Sequence, residues 1–291
     1  MTRKKSRKAR DSSGVCKLTK QPGQFVASHI IPEALTETVW RGYPLIQLGP
    51  HGRPVRRWTS WYDPKLVTDA GEKILSAIDD WAIKFLRQRK LVWSSWGPAL
   101  RLLAADHMER QYDVGAQKPQ TIGVRRLQDI DGPRLRLFFL SLLWRAAATD
   151  LWEFESISLQ SEELEQLRLM VLEGQPAPYS FYPISLTQYS TRAVPFNQAT
   201  SRKTKLEPVP SGTGGTTNFR EVEIYRFYLD GLVAHVHIGE TAEHVAKMGD
   251  FFVGPASSLL VTTLPAEQSA EIHALRMQQA KVHRLVPSRD S

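Results

Sequence analysis

The stretch from Phe25 to Leu35, FVASHIIPEAL, decides how the first third of the chain is read. Phe25 and Val26 favour a strand, Pro32 suits the first turn of a helix, and His29 stands between the two. Upstream, GVCKLTKQPGQ (14–24) supplies two short strands joined by a turn around Pro22 and Gly23, and the helix is expected over PEALTETVW (32–40). Downstream, YPLIQLGPHGRPVRRWTSWYDP (43–64) mixes β-prone residues with Gly and Pro and predicts a second hairpin or an irregular loop. From Lys65 to Lys90, Ile74, Ile78, Trp81, Ala82 and Phe85 recur at helical spacing, so a long amphipathic helix follows. A hairpin, a histidine, a loop and a helix make a compact ββα unit. Alone, His29 reads as a packed structural residue; only its surroundings give it chemistry.

The charge is unevenly spread. Of the first ten residues six are Lys or Arg, including Arg3, Lys4, Lys5, Arg7 and Lys8, and none is acidic, whereas the whole 291-residue chain carries a formal charge of +8. Such a run has no apolar surface to bury, so it reads as a flexible arm attractive to a polyanion, or as a solubilising tail. It lacks the apolar segment that a secretory signal needs, which points to the cytoplasm. The longest apolar run, LRLFFLSLLWRAAA (135–148), is interrupted by Arg136 and Arg145 and is shorter than the roughly 18 residues that suggest a membrane span. It predicts a buried helix, with no membrane partner. One cysteine, Cys16, excludes an intramolecular disulfide and an all-cysteine zinc site.

The fold class expected is α+β. A basic tail (1–12) precedes the ββα module (13–90) and a mainly helical region (91–196) with helices over PALRLLAADHMERQY (98–112), DGPRLRLFFLSLLWRAAATDLW (131–152) and SEELEQLRLMVLE (161–173). NQATSRKTKLEPVPSGTGGTT (197–217) has no apolar period and reads as a mobile linker. The C-terminal region (218–291) alternates on both sides of Asp230 and Gly231, the pattern of a tight hairpin; SSLLVTTL (257–264) adds a strand and a terminal helix begins near Pro265.

The order of these blocks resembles a group of bacterial HNH-nuclease-like proteins whose sequences run CxxC, then SHIIP, then an LCxxC that opens a helix. GVCKLTKQPGQFVASHIIPEAL and DPKLVTDAGEKILSAIDDW carry the resemblance, and LRLFFLSLLWRAAATDLWEFESISL with EELEQLRLMVLEG extends it over residues 13–190. The resemblance implies that His29 is the general base on an attacking water, beside a divalent cation such as Mg²⁺ that stabilises the leaving oxygen. It places Asp63 near the motif's asparagine and leaves Glu72 as the nearest substitute for the missing last histidine, so His29, Asp63 and Glu72 are the candidate ligands. Cys16, Thr19, Thr68 and Gly71 stand where the family has four cysteines, so no structural zinc is expected; Phe25, Ile30, Trp58, Ile74 and Ile78 are the residues expected to hold the module instead. The function implied is nucleic-acid binding, DNA in preference to RNA, with Mg²⁺-dependent endonuclease activity in a defence role by analogy. The alternative is a binding or assembly protein on a degenerate scaffold, with a protein partner for the C-terminal region.

Other features are weaker. Arg53, Arg56 and Arg57 beside Trp58 and Trp61 suit phosphate contacts with base stacking, or core aromatics beside a basic loop. His235 and His237 share one strand face at a spacing fit for a metal pair, but without a third ligand a polar sheet face is favoured.

Overall fold

The computed structural model describes residues 12–36, 45–48, 54–57, 60–112, 120–193, 201–209, 218–270 and 272–273. The basic tail, Arg53, Trp58 and most of the expected terminal helix lie outside them. The chain is α+β.

Strands β1 (Ser13–Val15) and β2 (Pro22–His29) form an antiparallel hairpin, closed by Cys16 N–H donating to Gln21 O at 2.9 Å. Pro22 and Gly23, expected in the turn, belong to β2, opposite Val15 and Gly14. A Cβ on Gly23 would lie 3.1 Å from Thr68, so the two strands approach closely there. A short 3₁₀ turn (Glu33–Leu35) stands where the helix over 32–40 was expected; residues 37–40 lie outside the described part. The predicted second hairpin is present as β3 (Leu45–Leu48) and β4 (Pro54–Arg57). Its neck closes where Ile30 N–H donates to Trp61 O at 2.9 Å and Ser60 Oγ to Ile31 O at 2.8 Å. β5 (Tyr62–Thr68) then pairs with β2 and runs directly into α1 (Asp69–Gln88), which buries Leu75, Ile78, Ala82, Phe85 and Leu86 along one face.

The region expected to be helical departs most. His107–Tyr112 and Gln120–Leu127 are strands β6 and β7, and no helix covers 98–112. Leu100, Leu103 and Met108 are largely exposed while Leu102 is buried, so the apolar residues do not share one buried helix face. Pairing with β7 decides the conformation instead. α2 (Gly132–Ala148) and α3 (Ser161–Glu173) lie as predicted. Asp131 caps α2 by accepting from Arg134 N–H at 3.0 Å, and Gln160 with Glu163 forms a capping box on α3. β8 (Ile184–Tyr189) follows.

Ser201–Val209, read as part of a linker, is strand β9, paired over its whole length with β10 (Asn218–Leu229). It is an edge strand, where lysines and Pro208 discourage further pairing, so it shows no apolar period. β10 turns through Asp230 and Gly231 into β11 (Leu232–His237), both turn residues having positive φ as a two-residue hairpin requires. A side chain at Gly231 would also strike the Trp93 ring. α4 (Ala242–Met248) and β12 (Leu259–Leu264) complete a seven-stranded sheet of order β6-β7-β12-β8-β11-β10-β9, antiparallel except for β12 beside β8.

α2 is the most enclosed of the helices. From Leu135 to Ala146 every residue is buried, the signature of a helix enclosed on all sides. It packs on α1, α3 and β11. No helix of the described residues is long and apolar enough to cross a membrane. Two buried guanidinium groups fix its position. Arg136 donates to the carbonyls of Pro176, Pro178, Phe181 and Tyr182, and burial pulls it down to about 10 with Tyr179 acting in the opposite sense. Arg145, 1% exposed, pairs with Asp79 of α1 at 2.5 and 2.9 Å and donates to His29 O at 3.2 Å. Removing one partner leaves the other buried and unpaired, so Arg145→Met is expected to cost about 3–5 kcal/mol in urea unfolding. Combining it with Asp79→Leu should recover most of that loss.

Candidate functional site

His29 and Asp63 lie on adjacent strands but on opposite faces. In the β2–β5 ladder Ser28 pairs with Asp63 and His29 with Tyr62. Side chains alternate along a strand, and paired residues share a face. Ser28 and Asp63 therefore turn inward, at 1% and 5% exposure, while His29 and Tyr62 turn outward. The Asp63 carboxylate is fully engaged, accepting from Lys65 N–H at 2.8 Å and from Thr149 Oγ1 at 2.7 Å. The His29 ring stands edge-on to Tyr62, and its Nε2 lies 4.0 Å from Glu33 Oε2. Glu72 sits in the first turn of α1, with Oε2 enclosed and without a hydrogen-bond partner. Among the described residues no three His, Cys, Asp or Glu side chains are grouped to hold a metal ion. The expected set of His29, Asp63 and Glu72 does not fit a shared Mg²⁺, because the pleat sends the first two to opposite sides of one sheet.

Cys16, Thr19, Thr68 and Gly71, the four positions singled out by the resemblance, do come together. Cys16 is buried; Thr19 N–H donates to its Sγ at 3.4 Å, and a Cβ on Gly71 would lie 2.7 Å from the same sulfur. Burial disfavours the thiolate, but hydrogen bonds with Thr19 and Thr68 outweigh that and hold the thiol below its ordinary value. One sulfur with two hydroxyls and a glycine offers no tetrahedral cage.

The module is seated on the C-terminal end of α2. Lys17 Nζ donates to Ala148 O at 2.7 Å and pairs with Asp150 at 2.8 Å, while Thr149 holds Asp63 and Arg145 holds the His29 carbonyl. A cation at a helix C-terminus meets the carbonyls left open there. Ile30, Ile31, Ser60 and Trp61 close the excursion of chain that holds β3 and β4, with Arg56 and Arg57 on β4, immediately after His29 and before Tyr62 in sequence. Trp61 is a core aromatic, 1% exposed and edge-on to Phe154 at 5.6 Å, not a stacking platform. Arg3, Lys4, Lys5, Arg7, Lys8 and Arg53 lie outside the described residues.

His235 and His237 were expected on a polar sheet face, yet both are buried, as is all of β11. The segments packed over the face account for this, Phe252 standing edge-on to His237 at 4.9 Å. His237 joins Ser185 Oγ at 2.8 Å through Nε2 and Glu240 at 3.4 Å through Nδ1. The order resembles a hydrolase relay, but Arg220 binds both Glu240 oxygens more closely, at 3.0 and 2.5 Å, and neutralises the charge a relay would use. Glu240 lies three residues from His237 in sequence, and that spacing was the available signal. Burial tends to raise the Glu240 carboxyl; hydrogen bonds from His237 and Arg220, with the charges of Arg220 and His244, bring it down to about 2.

Two measurements check these assignments. His29→Ala should change unfolding free energy by no more than about 0.5 kcal/mol, whereas Asp63→Ala should cost about 1–3 kcal/mol by leaving inward donors unmatched. Because Glu240 is depressed below its ordinary 4.5 in the folded chain, its stabilisation is complete above pH 4.5 and is lost as pH falls towards 2. Glu240→Gln should lower stability at neutral pH and flatten that acid limb in unfolding curves.

Comparisons with known protein families, with curated proteins and with solved structures found no match.

Proposed function

We propose that this chain is a nucleic-acid-binding protein built on an HNH-like ββα module whose cation site has been dismantled, acting in the cytoplasm on DNA in preference to RNA. The observation that supports the reading is the neck between Ile30 and Trp61, from which the excursion of chain that carries the arginine-bearing strand β4 departs and to which it returns, next in sequence to His29 and Tyr62. Arginines there, with the six basic residues of the first ten, meet a phosphate backbone as point contacts, and His29 and Tyr62 offer ring surfaces between them. The convergence of Cys16, Thr19, Thr68 and Gly71 on one sulfur supports the scaffold assignment, since those are the four places the resemblance gives to metal-binding cysteines.

Binding without cleavage is favoured over Mg²⁺-dependent hydrolysis by the fate of Asp63. A base and a cation ligand must face one scissile phosphate, whereas Asp63 faces inward and is consumed by Thr149. The seven-stranded sheet is the region left for a protein partner.

The test is fluorescence anisotropy with duplex DNA and duplex RNA of one sequence over a range of salt. DNA binding should weaken as salt rises, and Arg56→Gln with Arg57→Gln should reduce the logarithmic salt slope by about 2. Deleting residues 2–10 should reduce it further. Added Mg²⁺ or Mn²⁺ should leave the DNA intact. Cleavage abolished by His29→Ala would restore the endonuclease reading, and binding insensitive to salt or to these changes would sink the proposal.

A further inference from the structure

On the surface of α1, aromatic and cationic side chains are layered. Trp81 stacks on Phe85 at 5.3 Å between ring centroids with the planes 13° apart, and the Arg134 guanidinium, from the first turn of α2, lies over Trp81 at 4.8 Å. Phe85 is buried, Trp81 half-buried and Arg134 exposed, so the stack runs outward from core to solvent. Lys84 is exposed three residues on from Trp81, a spacing that sets the two side by side on one face of the helix.

These two cations differ from their neighbours in what they touch. Arg89 donates to Asp129 O at 2.8 Å, Arg87 to Ala34 O at 3.2 Å, and Arg145 is held by Asp79. Among the described residues neither Lys84 nor the Arg134 guanidinium makes a hydrogen bond or an ion pair; the contact of Arg134 is the Trp81 ring. Asp131, close by in the chain, is engaged in capping α2 through Arg134 N–H. A ring beneath a guanidinium steadies its plane, while the N–H donors stay free along its edge and its outer face stays open to a second planar group.

We propose that Arg134 and Lys84 bind single-stranded DNA, an unpaired base stacking on the guanidinium above Trp81 while Lys84 meets a backbone phosphate. This names a further surface for the nucleic-acid reading and rests on it. A flat cation backed by an aromatic ring suits an exposed base, whose π-face is offered by every sequence, whereas in a duplex those faces are covered by neighbouring bases. An acidic peptide would engage the two charges but makes no use of the plane. The surface also adjoins the N-terminal module, because Arg87, three residues beyond Lys84, reaches the turn Glu33–Leu35 that follows His29.

The test is fluorescence anisotropy of the full chain with labelled oligothymidylate and with an abasic strand of the same length, which keeps the phosphates and lacks the bases. Oligothymidylate should bind about tenfold more tightly than the abasic strand. Arg134→Lys, which keeps the charge and loses the plane, should abolish most of that preference. Lys84→Gln should weaken both strands alike and reduce the logarithmic salt slope by about 0.7, the effect of one phosphate contact on a single strand. Equal affinity of the parent for the two strands, or a preference unchanged in Arg134→Lys, overturns the stacking site. Displacement of the strand by polyglutamate as readily as by unlabelled oligothymidylate overturns it in favour of an acidic protein partner. Duplex DNA separates the two readings. If the duplex binds through Arg56 and Arg57 while Arg134→Lys and Lys84→Gln change nothing, this surface alone fails; if the parent binds neither duplex nor single strand, the nucleic-acid reading fails with it.

Discussion

A helix buried on every side has no surface of its own by which to choose a register, because apolar contacts are tolerant of rotation and sliding. In this chain the choice falls to Arg145. Its guanidinium reaches Asp79 on α1, Ser141 Oγ on α2 and the carbonyl of His29 at the end of β2, so one side chain locates α2 against both parts of the ββα module. The neighbouring contacts from Thr149 and Lys17 act at the same helix end. Arg136 does the corresponding work towards the other end of the helix, where it donates to carbonyls between Pro176 and Tyr182. Buried ion pairs add little net stability over apolar packing, but they are intolerant of misplacement, and here that intolerance sets the geometry of the outward face.

The same docking supports the module from outside it. Here Cys16, Leu18 and Val67 are buried together, and Gly71 lets the start of α1 approach Cys16 closely. Arg168 of α3 donates to Leu18 O at 2.6 Å and so grips the β1–β2 turn from outside. Contacts with α2 and α3 give the module an external support, which ties its stability to the rest of the chain.

The elements legible in the sequence were those whose burial is one-sided or complete over several turns. Ile78, Ala82 and Phe85 repeat with the period of α1, and Asp230-Gly231 carries the positive φ angles that only a few residue pairs adopt readily. β6 and β9 failed that test because each is an edge strand, stabilised by a partner distant in sequence and by backbone bonds that leave no apolar period. His235 was misread for a related reason: alternation places it correctly on a face, but α4 and the segment after β12, which cover parts of that face, are not visible from β11 itself.

The candidate site turns on parity. His29 and Asp63 are the residues that the order of blocks brings together, and the fold does bring their strands together. Yet Asp63 pairs with Ser28, and a shift of one residue moves every side chain of a strand to the other face. Such a shift would also carry Val67 to the opposite face and release Thr149, so no single substitution at Asp63 can create a shared site with His29. A ligand able to join His29 has to come from its own face, where the cross-strand position is Tyr62 and the nearest carboxylate is Glu33 at 4.0 Å. Both stand on the outward side of the strand pair, whereas the inward acid is held to the end of α2 through Thr149.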